Sequence, residues 1–425
     1  MSEAITWEAP QWLTKKYLEE VLKKYFRDET VHVQEMEIKP ATAKGENYAS
    51  VMTRLKVSYK TTKELKPQNV SLIMKCSYES DPFVANIMNG YDVYNTEMKI
   101  YEQVLPQIAD ILKRSGDNEK IFAETYKVDY ERSTIIFEDL AASNFVLCDR
   151  LRGLNKQHTR LVLKKLAKFH AAAAVLNERL GGGSLEQFQR GIFNRHTRDL
   201  GCMFEYFTEV CANFARDCST LGPYYYEKLL KLQPYVVEYG IKATSKWNAT
   251  DFYTLCHGDL WINNMLMQYW SAEENGAREL ENLLFVDFQF SNWSSPALDL
   301  FYFFNTSLEP ELQLDVHFLS EMLQYYHSNL SDMLKKLQYK GHIPSLHELC
   351  VQLEERKFLA LITTLTNQAV ATSDQCDDAD FRCLVDDSER AKKFRKNCYD
   401  NKRHQNIIKH ILPYFDRCGL LDVQN

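Results

Sequence analysis

The sequence predicts an α+β fold: a sheet-rich N-terminal unit carrying one main helix, then a larger and mainly helical unit. Three observations predict it. Apolar residues alternate with a period of two in the first third of the 425 residues, and again only between Phe252 and Asn292. From Asp149 onward the apolar period is otherwise helical. Fifteen glycines and eleven prolines are few for this length, so little interrupts those helices.

Residues 10–26 read as an opening helix, with Pro10 in its first turn and Leu13, Tyr17, Val21 and Tyr25 near helical spacing. Val31, Val33, Met36 and Ile38 mark a first strand. Val51, Leu55, Val57 and Tyr59 alternate with Met52, Arg54, Lys56 and Ser58 in a second. A polar loop, 60–68, leads to a third strand with Val70, Leu72, Met74 and Cys76 on one face and Ile73 and Lys75 on the other. Residues 91–112 read as one long helix kinked at Pro106, and strands follow around 121–128 and 134–137. Helices are then expected over 161–176, 200–215, 224–239, 312–337, 346–366 and 388–414, with Gly181, Gly182 and Gly183 as a corner. The division is an N-terminal unit 1–137, a hinge 138–144 and a C-terminal unit 145–425.

Composition narrows the function. With 51 basic and 58 acidic side chains the net charge is −7, which argues against nucleic acid as the main partner. No apolar run is long enough to cross a bilayer, and the first residues lack the pattern of an export signal, so a soluble cytoplasmic protein is expected. Eleven cysteines without a C-x-x-C pair suggest neither a disulfide framework nor a zinc site.

The chemistry centres on His257-Gly258-Asp259-Leu260-Trp261-Ile262-Asn263-Asn264, followed by an apolar run that ends at Asp287. An aspartate with an asparagine five residues later is the spacing of a phosphoryl-transfer loop, the aspartate accepting the proton of the attacking hydroxyl and the asparagine offering an oxygen to a magnesium ion. Asp287, delivered by a buried strand, supplies the second metal position, with Asp-Phe-Gln in place of Asp-Phe-Gly. Lys75 lies in an otherwise apolar strand and needs a fixed anionic partner, which Glu97 on the next helix can supply. Gly45, Asn47 and Ser50 fall where a phosphate-covering hairpin would lie, and an ordinary hairpin fits equally well. Glu138, Asp139 and Leu140 close the last N-terminal strand, where backbone groups can pair with an adenine edge or form a plain linker.

At these residues the sequence resembles the ecdysteroid kinase-like family, also called the CHK kinase-like family of insects, within the aminoglycoside phosphotransferase and choline kinase group. The matching stretches include GENYASVMTR, IMKCSYES, YNTEMKIYEQVLP, FEDL, LAKFHAAAAVL, CHGDLWINN and VDFQFSNWSSPALDL, and Trp261 within the loop is the mark of this branch. The resemblance implies a bilobal protein-kinase-like fold, ATP with Mg2+, and transfer of the γ-phosphoryl group to a small-molecule hydroxyl. It makes Asp259 the base, Asn264 and Asp287 the metal ligands, and Lys75, held by Glu97, the phosphate lysine. It has His257 and Trp261 brace the loop and Asp299 support it, and it leaves His170 a packing role. The implied acceptor is an ecdysteroid or another lipophilic or xenobiotic alcohol. An aromatic-rich set, Phe193, Met203, Phe204, Tyr206, Phe207 and Phe214 with Tyr224, Tyr225 and Tyr226, is available to line its pocket or to serve as helix core. The rival readings are a choline, ethanolamine or amino-sugar kinase, and a pseudokinase that binds a ligand without turnover.

Overall fold

In the computed structural model, residues 9–424 are described except 42–49, 65, 78–81, 197, 199–200, 272–277 and 375–380. The chain enters through a turn, in which Leu13 N donates to Pro10 O at 3.0 Å. Thr14 is extended and its hydroxyl accepts from Tyr17 N, so helix α1 (Lys15–Phe26) starts five residues later than expected, at its cap. Strands β1 (His32–Pro40), β2 (Ser50–Lys60), β3 (Gln68–Ser77), β4 (Thr125–Asp129) and β5 (Thr134–Glu138) form one antiparallel sheet in the order β1-β2-β3-β5-β4. Alternation decides its two faces: Leu55, Val57, Leu72, Met74 and Ile136 bury against Leu18, Val21 and Leu22 of α1. The intervening residues Arg54, Ile73, Lys75 and Phe137 turn to the opposite face.

An unexpected helix, α2 (Pro82–Tyr91), precedes the expected one. Asp92, left-handed at φ 57°, separates it from α3 (Val93–Lys99), which passes through a π-helical segment, Ile100–Val104, into α4 (Leu105–Arg114). The irregularity lies in the turn before Pro106 because proline has no N–H to continue the ladder; widening that turn keeps the helix going.

The remainder is helical around a short strand β6 (Phe145–Leu147): α5 (Lys156–Arg179), α6 (Cys202–Asp217), α7 (Pro223–Leu232) and α8 (Val236–Ser245). Strands β7 (Thr254–Cys256), β8 (Met265–Ser271), β9 (Arg278–Phe285) and β10 (Asn292–Ser294) come next. Helices α9 (Ala297–Thr306), α10 (Pro310–Gln313), α11 (Val316–Lys336), α12 (Leu346–Glu354), α13 (Phe358–Leu365), α14 (Asn367–Thr372), α15 (Phe381–Val385), α16 (Glu389–Tyr399) and α17 (Lys402–Arg417) complete the chain. Three expected helices are each two, broken at Pro234, at the buried Arg356 and at Asn401, whose side chain caps α17. The α5 run Ala171–Ala174 is fully buried, since methyl side chains let α5 lie close to its neighbours. Among the described residues no helix is long and apolar enough to cross a membrane.

His404 of α17 is buried, and neither ring nitrogen has a hydrogen-bond partner. Its ring stands edge-on to Tyr399, with centroids 4.6 Å apart. Burial, with Arg403 adjacent, pushes its pKa down to about 3. The sign follows: the unfolded chain takes up this proton below about pH 6.5 while the folded ring stays neutral, so stability falls as pH drops from there toward the folded value. The slope is about 1.4 kcal/mol per pH unit for this one group. His404→Leu should therefore show a smaller fall in Tm between neutral and mildly acidic pH than the parent; parallel Tm curves would refute the assignment.

Candidate active site

The loop after β7 is built around Asp299 in the first turn of α9. Its carboxylate accepts His257 N at 2.7 Å and Gly258 N at 2.9 Å. Gly258 sits at φ 84°, and a Cβ there would fall 2.0 Å from Phe290 O, so only glycine lets the loop turn under the following segment. His257 Nε2 donates to Val286 O at 2.9 Å, which leaves Nδ1 to accept Asp259 N at 3.4 Å; burial pushes its pKa down and keeps the ring neutral. His170, given only a packing role from sequence, instead bonds Asp299 at 3.0 Å through Nε2 and the Tyr326 hydroxyl at 2.7 Å through Nδ1. A buried carboxylate under a loop needs a partner for every lone pair, and His170 is that partner. Burial works to raise the Asp299 pKa, but the hydrogen bond and charge of His170 hold it below the ordinary value.

Residues Ile262–Asn264 make one 3-10 turn. Asn264 Nδ2 donates back to Asp259 O at 2.8 Å and to Asp259 Oδ2 at 3.1 Å, while Val286 N donates to Asn264 O at 3.1 Å. Asp259, Asn264 and Asp287 are thus held to one another through a few backbone bonds. Asp287 is left-handed, at φ 67°. Such strain at a non-glycine residue persists only where its surroundings enforce it. Behind it Phe288 is fully buried against Tyr101 and His257.

From the sheet, Lys75 reaches Glu97 at 2.7 Å and Asp287 at 2.8 Å. Burial opposes the Lys75 charge, but the charges of Asp287 and Glu97 raise its pKa above the ordinary lysine value. Burial pushes Glu97 up to about 7 against the pull of Lys75, and burial likewise pushes Asp259 up to about 7, with Asp287 adding to the effect and Tyr302 and Asn264 opposing it. Three carboxylates around one ammonium leave an excess of negative charge, and the donor set of carboxylate and amide oxygens suits a hard dication such as magnesium.

These residues line one cavity of about 1010 Å³. Its walls include Phe137, Leu140, Phe145 and Leu266, and also Trp261, Gln289, Phe290, Tyr302 and Asn367 with apolar Ile192, Met203, Phe204 and Leu384. Lys75, Glu97, Asp259, Asn264 and Asp287 are thus brought together in one cavity. Trp261 lines the cavity beside them. Glu138 and Leu140 line it too, the Glu138 carboxylate being taken by Lys120 and by Glu124 N at 2.7 Å. Gly45 and Asn47 lie outside the described residues, and Ser50 opens β2 with its backbone opposite Ser77.

Of the aromatic set only Met203 and Phe204 reach the cavity. Phe193 and Phe207 are buried in the helical core and Tyr224 is exposed. Helical spacing cannot distinguish a core face from a cavity face. Sequence reasoning named Asp139 only for its backbone; its side chain joins the sheet to the helical part by accepting from Arg54 at 2.8 Å, Ser71 at 2.7 Å and Ala141 N at 3.2 Å. The same reasoning missed the wall formed by Met88 and Tyr91 of α2 and Phe381 of α15. Tyr302 was missed as well, although its hydroxyl is the one polar group in the run Phe301-Tyr302-Phe303-Phe304.

A comparison with curated proteins gives no match. Among solved structures, a Plasmodium vivax ethanolamine kinase is similar at 13% identity and a TM-score of 0.39, over 90% of this chain and 83% of that one. The profile of the ecdysteroid kinase-like family matches residues 44–339, well over half the sequence. By that match, the chain belongs to the ecdysteroid kinase-like family.

Proposed function

We propose that the protein is an ATP-dependent kinase that phosphorylates a hydroxyl of a largely neutral, lipophilic alcohol, an ecdysteroid or a xenobiotic of similar bulk. The observation that carries this reading is the convergence of Lys75, Glu97, Asp259, Asn264 and Asp287 on one cavity. The nucleotide belongs against Phe137, Leu140 and Phe145, between a lobe of residues 1–137 and a lobe of 145–425 joined through 138–144. Asn264 and Asp287 would hold magnesium, which when bound neutralises charge on the phosphate oxygens. Lys75, kept charged and oriented by Glu97, meets the phosphates. Asp259 lines the same cavity and takes the proton of the acceptor hydroxyl. In-line positioning and charge neutralisation supply most of the rate.

The lining supports a neutral acceptor. Six described carboxylates touch the cavity. Glu97 is engaged by Lys75, Glu138 by Lys120, Asp139 by Arg54, and Asp149 by Leu151 N. With Glu97, Glu138 and Asp139 paired to cations and Asp259 and Asp287 given to catalysis, little acidic charge is left among the described residues of the lining for a cationic choline or amino sugar. A steroid-sized skeleton buried against Ile192, Met203, Phe204 and Leu384 gains ~25 cal/mol per Å² before ordering costs, an area choline does not offer.

The test is kcat/KM for ecdysone, a planar plant alcohol, choline and an aminoglycoside under the same ATP and magnesium. The lipophilic alcohols should lead by about tenfold or more. A lead of that size for choline or the aminoglycoside transfers the assignment to the cationic class. Ligand-induced stabilisation without ATP consumption makes the chain a binder.

A further inference from the structure

Position 302 carries a hydroxyl that packing does not ask for. Its neighbours Phe301, Phe303 and Phe304 are phenylalanines, and Phe303 and Phe304 are buried in the core. Tyr302 lies one turn beyond Asp299 on α9, is 7% exposed, and faces the cavity. Asn367 Nδ2 donates to its hydroxyl at 2.9 Å. An amide NH2 only donates, so the Tyr302 hydroxyl accepts there and its single proton is left to face the Asp259 side chain, its neighbour in the cavity lining. Asn367 reaches this spot through a break in the helix. Thr366, at φ −117° and ψ −76°, ends α13 and opens α14, and Asn367 is the first residue beyond it. Thr366 and Asn367 also line the cavity.

We infer that Tyr302 and Asn367 are positioning residues for phosphoryl transfer, a relay in which Asn367 sets the polarity of the Tyr302 hydroxyl and Tyr302 aims the Asp259 carboxylate at the acceptor hydroxyl. The inference rests on the kinase reading of the same site. Asn264 holds Asp259 from the metal side at 3.1 Å. Tyr302 holds it from the acceptor side, so the carboxylate is clamped between the two substrates. Losing the acceptor-side hold leaves nucleotide binding intact and the base misdirected, a loss in kcat rather than in KM for ATP.

Two variants test this in the full-length chain with ecdysone as acceptor. Tyr302→Phe, which keeps the ring, should lower kcat about tenfold or more with KM for ATP within about twofold. Asn367→Asp keeps the size of the side chain but reverses its hydrogen bonding. A carboxylate there takes the Tyr302 proton away from Asp259, so kcat should fall about as far. Placed on top of Tyr302→Phe, Asn367→Asp should add little; effects that multiply in the double variant would overturn the relay, as would a Tyr302→Phe enzyme within about twofold of the parent kcat. Asn367→Asp, at a partly exposed wall, keeps the inference testable if Tyr302→Phe does not fold. If the parent phosphorylates no acceptor, the kinase reading fails separately. The relay is then decided by a fluorotyrosine placed at position 302, whose fluorine resonance should shift on Asp259→Asn and on Asn367→Asp. A resonance unmoved by both refutes it.

Discussion

Asp259→Asn should lower turnover by ~10² or more while leaving ATP binding and the fold in place. The amide oxygen can still accept from Asn264 Nδ2, now at 3.1 Å from Oδ2, so the loop keeps its shape. What is lost is a group able to take the acceptor's proton. Stability should not fall with activity. The carboxyl is buried and burial opposes its charged form, so a neutral amide should leave Tm unchanged or raise it. Steady-state kinetics and a thermal melt on the same preparation decide the matter. A folded variant that keeps more than about a tenth of the parent rate removes Asp259 from the role of base.

Lys75→Met has the second large effect, and it should be felt in both activity and stability. One ammonium sits 2.7 Å from Glu97 and 2.8 Å from Asp287, so its loss leaves a buried carboxylate and a partly buried one facing each other. Removing one partner of such a buried group costs on the order of 3–5 kcal/mol. Glu97, already pushed up to about 7 by burial, can take a proton and keep the loss toward the lower figure. Catalytically, kcat/KM for ATP should drop by about 10² or more, since both the phosphate contact and the orientation of Asp287 go together. Glu97→Gln should reproduce much of the kinetic loss, and the double variant should be little worse than Lys75→Met alone. Additive losses in that cycle would show that the two side chains do not act as one unit.

Much of this was legible along the chain because it is written in short-range patterns. β2 and β3 were readable from the alternation of Leu55 and Val57 with Arg54 and Lys56, and of Leu72 and Met74 with Ile73 and Lys75. Asp259 and Asn264 were readable as a pair because the roles proposed for them, base and metal ligand, require a fixed short separation along one loop. Lys75 was readable as a charge inside an apolar strand, and its demand for an anion pointed to Glu97.

The rest was decided only when the elements packed. The partners of His170 are 129 and 156 residues away, so a polar residue on an apolar helix face could not be told from filler. Asp139 looked like part of a linker because Arg54, which fixes it, lies 85 residues upstream. The break at Thr366 falls where the expected helix 346–366 ends, but that a short helix resumes at Asn367 and turns its side chain into the cavity was not legible along the chain. Above all, the sequence determined which residues are apolar, which are charged and how they recur, and so it determined the five strands of the N-terminal sheet, most helices and the spacing within the loop 257–264. Which apolar residues face a cavity and which face the core, Met203 and Phe204 but not Phe207, was settled by tertiary structure. Both surfaces select for the same side chains at the same spacing, and only the packing of distant elements leaves one of them empty.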